Sequence, residues 1–187
     1  MTAAAPLPVA ARTVVLVEGV SDRAAVLAAA RGQGRDLTAE GVHVVAMGGA
    51  TAVRRHLARV TAGPPGVRVR GLYDLAEEGF FRRALGAADG QDLTAAGFFA
   101  CVADLEEELI RAVGTAGVEA VVREHSEARA LATFRRQPAQ CGRRPEAQLH
   151  RFLGTTSGRK ARYARALVEH LDPPAVPAPL RRLLACT

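Results

Sequence analysis

Three carboxylates in this chain stand where a buried strand would end. Glu18 follows Thr13-Val14-Val15-Leu16-Val17, Asp74 follows a run closing with Gly71-Leu72-Tyr73, and Asp104 follows residues 97–103. Each has acidic neighbours: Asp22 behind Glu18, Glu77 and Glu78 behind Asp74, and Glu106, Glu107 and Glu108 behind Asp104. Carboxylates gathered at one edge repel each other unless cations hold them, and hard oxygen ligands of this kind suit Mg²⁺ or Mn²⁺. Two such ions ~3.5–4 Å apart can clamp the attacking and leaving oxygens of a phosphodiester displacement. Taken singly, Asp22, Glu77, Glu78 and Glu106 to Glu108 fall in first helical turns, where an acid also complements the helix dipole. Glu18 and Asp74 come before a helix has begun, and three strand ends acting together favour a site.

The elements that must position these acids read as alternating strands and helices. Residues 13–17 are a continuous apolar, β-branched run suited to a strand buried on both faces, and 42–47 and 67–73 read as the second and third strands. Helices are expected over about 21–31, with Ser21 as N-cap, then over about 51–60 and 75–85. A fourth strand is expected at 97–103 and a helix at 104–113, after which the strand signal stops. Residues 117–136, 145–153, 157–171 and 177–185 read as helices separated by Gly and Pro. Alternation at this spacing predicts an α/β fold with a parallel sheet of about four strands. In such sheets ligands sit beyond the carboxyl ends of the strands, where the acids lie. The expected organisation is a disordered tail over 1–11, an α/β domain over 12–116 and a helical basic extension over 117–187.

Val14-Val15-Leu16-Val17-Glu18-Gly19-Val20-Ser21-Asp22, followed by Gly48-Gly49 and by Gly71-Leu72-Tyr73-Asp74, resembles the Toprim domain. The variant is that of the OLD-family (overcoming lysogenization defect) nucleases, and the resemblance covers about residues 13–85. It implies a Rossmann-like Toprim fold in which Glu18 is the strand-end glutamate, acting as acid/base or metal ligand. Asp22 corresponds to the further acid of the pattern EGxxD, and Asp74 to the first aspartate of an Asp-x-Asp pair that binds Mg²⁺. The second aspartate would fall at position 76, which is Ala76. Glu77 and Glu78 are the nearest replacements, each one methylene longer than Asp. OLD-type regions also carry a late lysine in a helical C-terminal part, which Lys160 resembles, and an acidic segment in which Glu106 is the candidate.

Composition separates the two halves. Of the 25 cations, 24 are Arg and Lys160 is the only lysine. Residues 1–110 carry net −2 and residues 111–187 net +8, a division suited to holding metal ions beside a polyanion. Lys160 closes the stretch Thr155-Thr156-Ser157-Gly158-Arg159-Lys160, whose hydroxyls and helix start could receive a phosphate. A cation there could neutralise charge on a pentacovalent phosphate. Arg159, Arg162 and Arg165 are candidates for contacts to a phosphate backbone without reading sequence.

Other classes lack their signatures. No apolar run reaches ~18 residues, so no membrane helix is expected. No signal peptide is read at the start. Cys101, Cys141 and Cys186 fit neither a disulfide framework nor a zinc site and suit a reducing cytoplasm. The five histidines show no HxH or HExxH spacing, and most read as surface residues. No Walker motif is present, so an ATPase partner would be a separate polypeptide, and a homodimer is compatible with the sequence. An aromatic content of 4% argues against base-stacking single-strand readers. The expectation is a standalone Toprim-type nuclease that cuts DNA with carboxylate-bound Mg²⁺ or Mn²⁺. The alternatives are a degenerate Toprim that binds nucleic acid or an ATPase without cutting, and a nucleotidyl transferase.

Overall fold

In a computed structural model the described residues are 11–156 and 158–187. The tail expected over 1–11 therefore lies, apart from Ala11, outside the described residues, as does the phosphate-donor role considered for Ser157. Four strands form one parallel sheet in the order β2-β1-β3-β4: β1 (Thr13–Val17), β2 (Val42–Ala46), β3 (Arg68–Asp74) and β4 (Phe98–Cys101). Because every pairing is parallel, all four carboxyl ends lie at one edge, and Glu18, Asp74 and the segment after Cys101 arrive there together. β1 is an interior strand, and all five of its residues are buried, as its unbroken apolar run requires.

The alternation of β1 side chains divides the core. Val15 and Val17 face a large cluster built from α1 (Val20–Gly32), α4 (Leu105–Glu124), α5 (Ala128–Arg135), α6 (Pro145–Leu153), α7 (Arg159–Glu169) and α8 (Ala178–Ala185). Val14 and Leu16 face a smaller cluster with α2 (Val53–Thr61) and α3 (Glu78–Leu85). The C-terminal helices thus share a core with the sheet, and α7 packs along α1, the helix that leaves β1. This packing brings the basic half of the chain to the acidic edge.

Three local readings change. Helix α1 takes Gly19, in extended backbone, as its N-cap, and Ser21 is buried inside the first turn. The Asp22 carboxylate accepts the Gly19 N–H at 2.7 Å, so the cap function passes to the acid. Helix α4 runs on past residue 113 to Glu124, bent where Gly114 takes φ 72° and ψ 157°. The helix expected over 117–136 is interrupted at Ser126, whose φ is 60°. Among the described residues no helix is long and apolar enough to cross a membrane.

Candidate functional site

Glu18 is the first residue past β1, and its backbone is pinned from the next strand. The N–H groups of Gly48 and Gly49 donate to the Glu18 carbonyl at 3.0 and 3.2 Å, and both glycines have positive φ, which a Cβ would strain. The Gly-Gly pair therefore holds the strand end that presents the Glu18 carboxyl. Burial raises that carboxyl above its ordinary range; Glu77 adds to the lift, Lys160 opposes it, and Glu106 and Asp104 add further. Asp22, one helical turn on, is pushed up to about 7 by burial, with Glu106 and Glu18 adding to the effect and the Gly19 N–H and Lys160 opposing it. Asp74, at the end of β3, also reaches about 7, first by burial and then through Glu18, Asp22, Asp104 and Glu106. Each acid thus feels the others across the strand ends, the electrostatic mark of a shared site.

After β4 the chain delivers Asp104 and Glu106. Asp104 is the N-cap of α4, accepting the Glu107 N–H at 2.7 Å, and its other oxygen lies 2.6 Å from His150 Nε2. Burial works upward on Asp104, but His150 and the Glu107 N–H hold it below the usual carboxylate range. The same bond to Asp104 lifts His150 above its ordinary value against the pull of burial. Glu106 is only 4% exposed, and its Oε1 sits 3.3 Å from Lys160 Nζ. Burial alone would lower the Lys160 ammonium, yet Glu106, Asp104 and Asp22 hold it above its ordinary value. The sole lysine of the chain thus lies among the acids, placed there by α7.

The remaining candidates are arranged differently. Glu77 ends the short 3-10 turn Leu75–Glu77 and acts on Glu18. Ala76 lies on the same turn and is exposed. Glu78 pairs with Arg82 at 2.6 Å and acts on Tyr73. Glu108 accepts the Val102 N–H at 3.1 Å and pairs with Arg111, which ties the end of β4 to α4. The Thr155 hydroxyl donates to the Phe152 carbonyl. Arg159, with a side chain 13% exposed, pairs with Glu127 at 3.0 Å and stacks 4.4 Å over the Phe152 ring. Arg162 pairs with the same Glu127, and Arg165 pairs with Glu169 at 2.7 Å.

Nothing in the sequence singles out His150 from the other scattered histidines. In the fold it is half-buried beside Asp104, and no local signal could have shown this, since α6 must first pack on α4. The carboxylate oxygens of Glu18, Asp22 and Asp74 fit a hard divalent ion by chemistry. Among the described residues no three such side chains stand close enough to cage one.

Comparisons with known proteins give one family-model match and several similar solved structures. Residues 10–74 match the model for the Overcoming lysogenization defect protein-like TOPRIM domain. The fold is that of an OLD-like Toprim region. It is similar to the C-terminal region of the Burkholderia pseudomallei OLD protein, at 22% identity and TM-score 0.69, covering 94% of this chain and 96% of that one. It is also similar to the C-terminal region of the Xanthomonas campestris pv. campestris OLD protein, at 26% identity and TM-score 0.66, covering 94% and 93%. No match is found among curated proteins. The likeness therefore extends past the Toprim sheet into the helices that carry His150 and Lys160.

Proposed function

We propose that this Toprim chain is a divalent-metal-dependent nuclease that hydrolyses phosphodiester bonds in DNA. One observation carries the reading: the ends of β1, β3 and β4 and the start of α7 bring Glu18, Asp22, Asp74, Glu106 and Lys160 into mutual electrostatic contact. Bound Mg²⁺ or Mn²⁺ would supply charge neutralisation at the phosphate and a more acidic water. Glu18, Asp22 and Asp74 would hold the cations, with Glu77 and Glu106 at the margin. Glu18, whose raised proton affinity suits a base, would take the proton from the attacking water. Lys160 would stabilise charge building on the phosphoryl oxygens. The basic half would hold the backbone without reading bases, and an ATPase encoded separately is the partner to test. Free thiols at Cys101, Cys141 and Cys186 suit a reducing cytoplasm.

The exposed Ala76, standing where the second aspartate would fall, favours a second reading, a Toprim that binds without cutting. Plasmid nicking separates the two. The nuclease reading expects cutting with Mn²⁺, slower cutting with Mg²⁺, and none by Glu18→Ala, which should still bind DNA. Wild-type protein that stays inert with both metals, alone and with a candidate ATPase, would establish the second reading.

A further inference from the structure

One well-formed cleft lies not over the carboxylates but beside them. It has a volume of about 490 Å³ and runs between α4 and α6, from the bend at Gly114 to His150. Arg111, Arg143, Arg144 and Arg151 line it, and Glu107 and Glu146 are the acids on its walls. A smaller cleft of about 270 Å³ shares His150 and Arg151 with it and reaches Lys160. The two form a continuous basic path ending at the Lys160–Glu106 pair. His150 is the joint between them, held by Asp104 at 2.6 Å.

The arginines on this path differ from those of α7. Arg159, Arg162 and Arg165 each pair with a glutamate. Arg144 and Arg151 are exposed, and neither has an ion-pair or side-chain hydrogen-bond partner among the described residues. Arg143 donates to the Ala139 carbonyl at 2.8 Å, and Arg111 pairs with Glu108 at the rim. Arg144 also stands at the N-terminus of α6, where free N–H groups add to the positive potential. The guanidinium fork matches phosphate oxygens. No Phe or Tyr lines the cleft, so bases have no stacking platform.

We propose that the α4–α6 cleft is a phosphate-binding track that holds the backbone of one substrate strand beside the bond to be cut. This rests on the nuclease reading above and adds the route of the strand. Contacts would be to phosphates, independent of sequence, and Arg144 and Arg151 would supply two of them.

The test uses the full chain in EDTA and a fluorescein-labelled single-stranded DNA oligonucleotide, read by anisotropy across a salt series. The double variant Arg144→Ala/Arg151→Ala should lose roughly tenfold in affinity and flatten the log–log salt slope by about 1.4, two phosphates at 0.7 each. Arg54→Ala/Arg55→Ala removes equal charge from exposed positions on α2, against the opposite sheet face, and should change little. Equal losses in the two double variants, or none in the cleft variant, would overturn the track. Melting curves check folding, and the single variant Arg151→Gln, expected to flatten the slope by about 0.7, serves if the double variant unfolds. Wild type that binds through the cleft but never cuts with Mn²⁺ or Mg²⁺, alone or with a candidate ATPase, refutes the nuclease reading and leaves the track standing. Wild type that cuts, beside a cleft variant that binds and cuts as well, refutes the track alone. Wild type that neither binds nor cuts overturns both.

Discussion

Replacing Asp74 by Asn should stabilise the metal-free protein above neutral pH and remove its stabilisation by Mn²⁺. Burial and four neighbouring acids lift the Asp74 carboxyl from 3.8 to about 7, with no hydrogen bond among the causes. A folded value above the unfolded one means that the native state binds the proton more tightly. Stability therefore falls as pH rises from about 4 to about 7, and the whole penalty stands above that. Taken in full, the lift corresponds to about 4 kcal/mol. Asp74 is half-buried, and solvent screening leaves about 1–2 kcal/mol. For a chain of this length, that is roughly 2–8 °C in Tm.

The Asn variant should therefore melt higher than wild type in EDTA at about pH 8 and alike at about pH 4, where both carry a neutral group. Mn²⁺ reverses the order. Wild type gains RT ln(1 + [L]/Kd), about 2.7 kcal/mol at a hundredfold excess over Kd, and the variant gains little. Scanning both proteins in EDTA and in Mn²⁺ at the two pH values gives the complete cycle. A variant no more stable than wild type in EDTA at about pH 8 would refute the electrostatic crowding. A variant that keeps the Mn²⁺ response would remove Asp74 from the metal site.

Other perturbations test the supports of the site. Gly71→Ala should destabilise by about 1–3 kcal/mol in urea melts, because the new Cβ would meet Phe98 Cε1 at 2.7 Å and the Leu16 carbonyl at 2.8 Å. It should also weaken the metal response, since Asp74 lies three residues along the same strand. His150→Gln should cost about 1 kcal/mol at most, with a bell-shaped pH dependence. The raised His150 contributes stability that is lost as pH rises through its folded value, and the lowered Asp104 contributes stability that is lost as pH falls through its own. The loss should peak between about pH 4 and 6.5, and a flat difference across pH would count against the ion pair. Arg159→Ala should lower Tm more than it weakens DNA binding, because it breaks the Glu127 pair and the Phe152 contact; an unchanged Tm with much weaker binding would reverse that assignment.

What could be read from the sequence follows the range of the interactions. β1 was legible because a strand buried on both faces must be an unbroken apolar run, and Glu18 and Asp74, which follow the buried ends of β1 and β3, mark the sheet edge without any tertiary knowledge. Helix α6 was legible to the residue, with Pro145 at its start and Gly154 behind it. The interruption at Ser126 was not, because a serine in left-handed backbone carries no turn signal of its own. Lys160 stood out by composition alone, as the one lysine among arginines, but its partner Glu106 is set by α7 crossing to the sheet edge. The partners of Arg159 and His150 were not legible. A basic residue on an Arg-rich helix and a lone histidine both look like solvated surface. Their actual partners, Glu127 and Asp104, are 32 and 46 residues away. Charge composition located the basic half correctly, yet which arginines remain open to a phosphate depends on which glutamates the fold brings beside them. That is why Arg159, Arg162 and Arg165 on α7 are paired while Arg144 and Arg151, at the two ends of α6, have no such partner among the described residues.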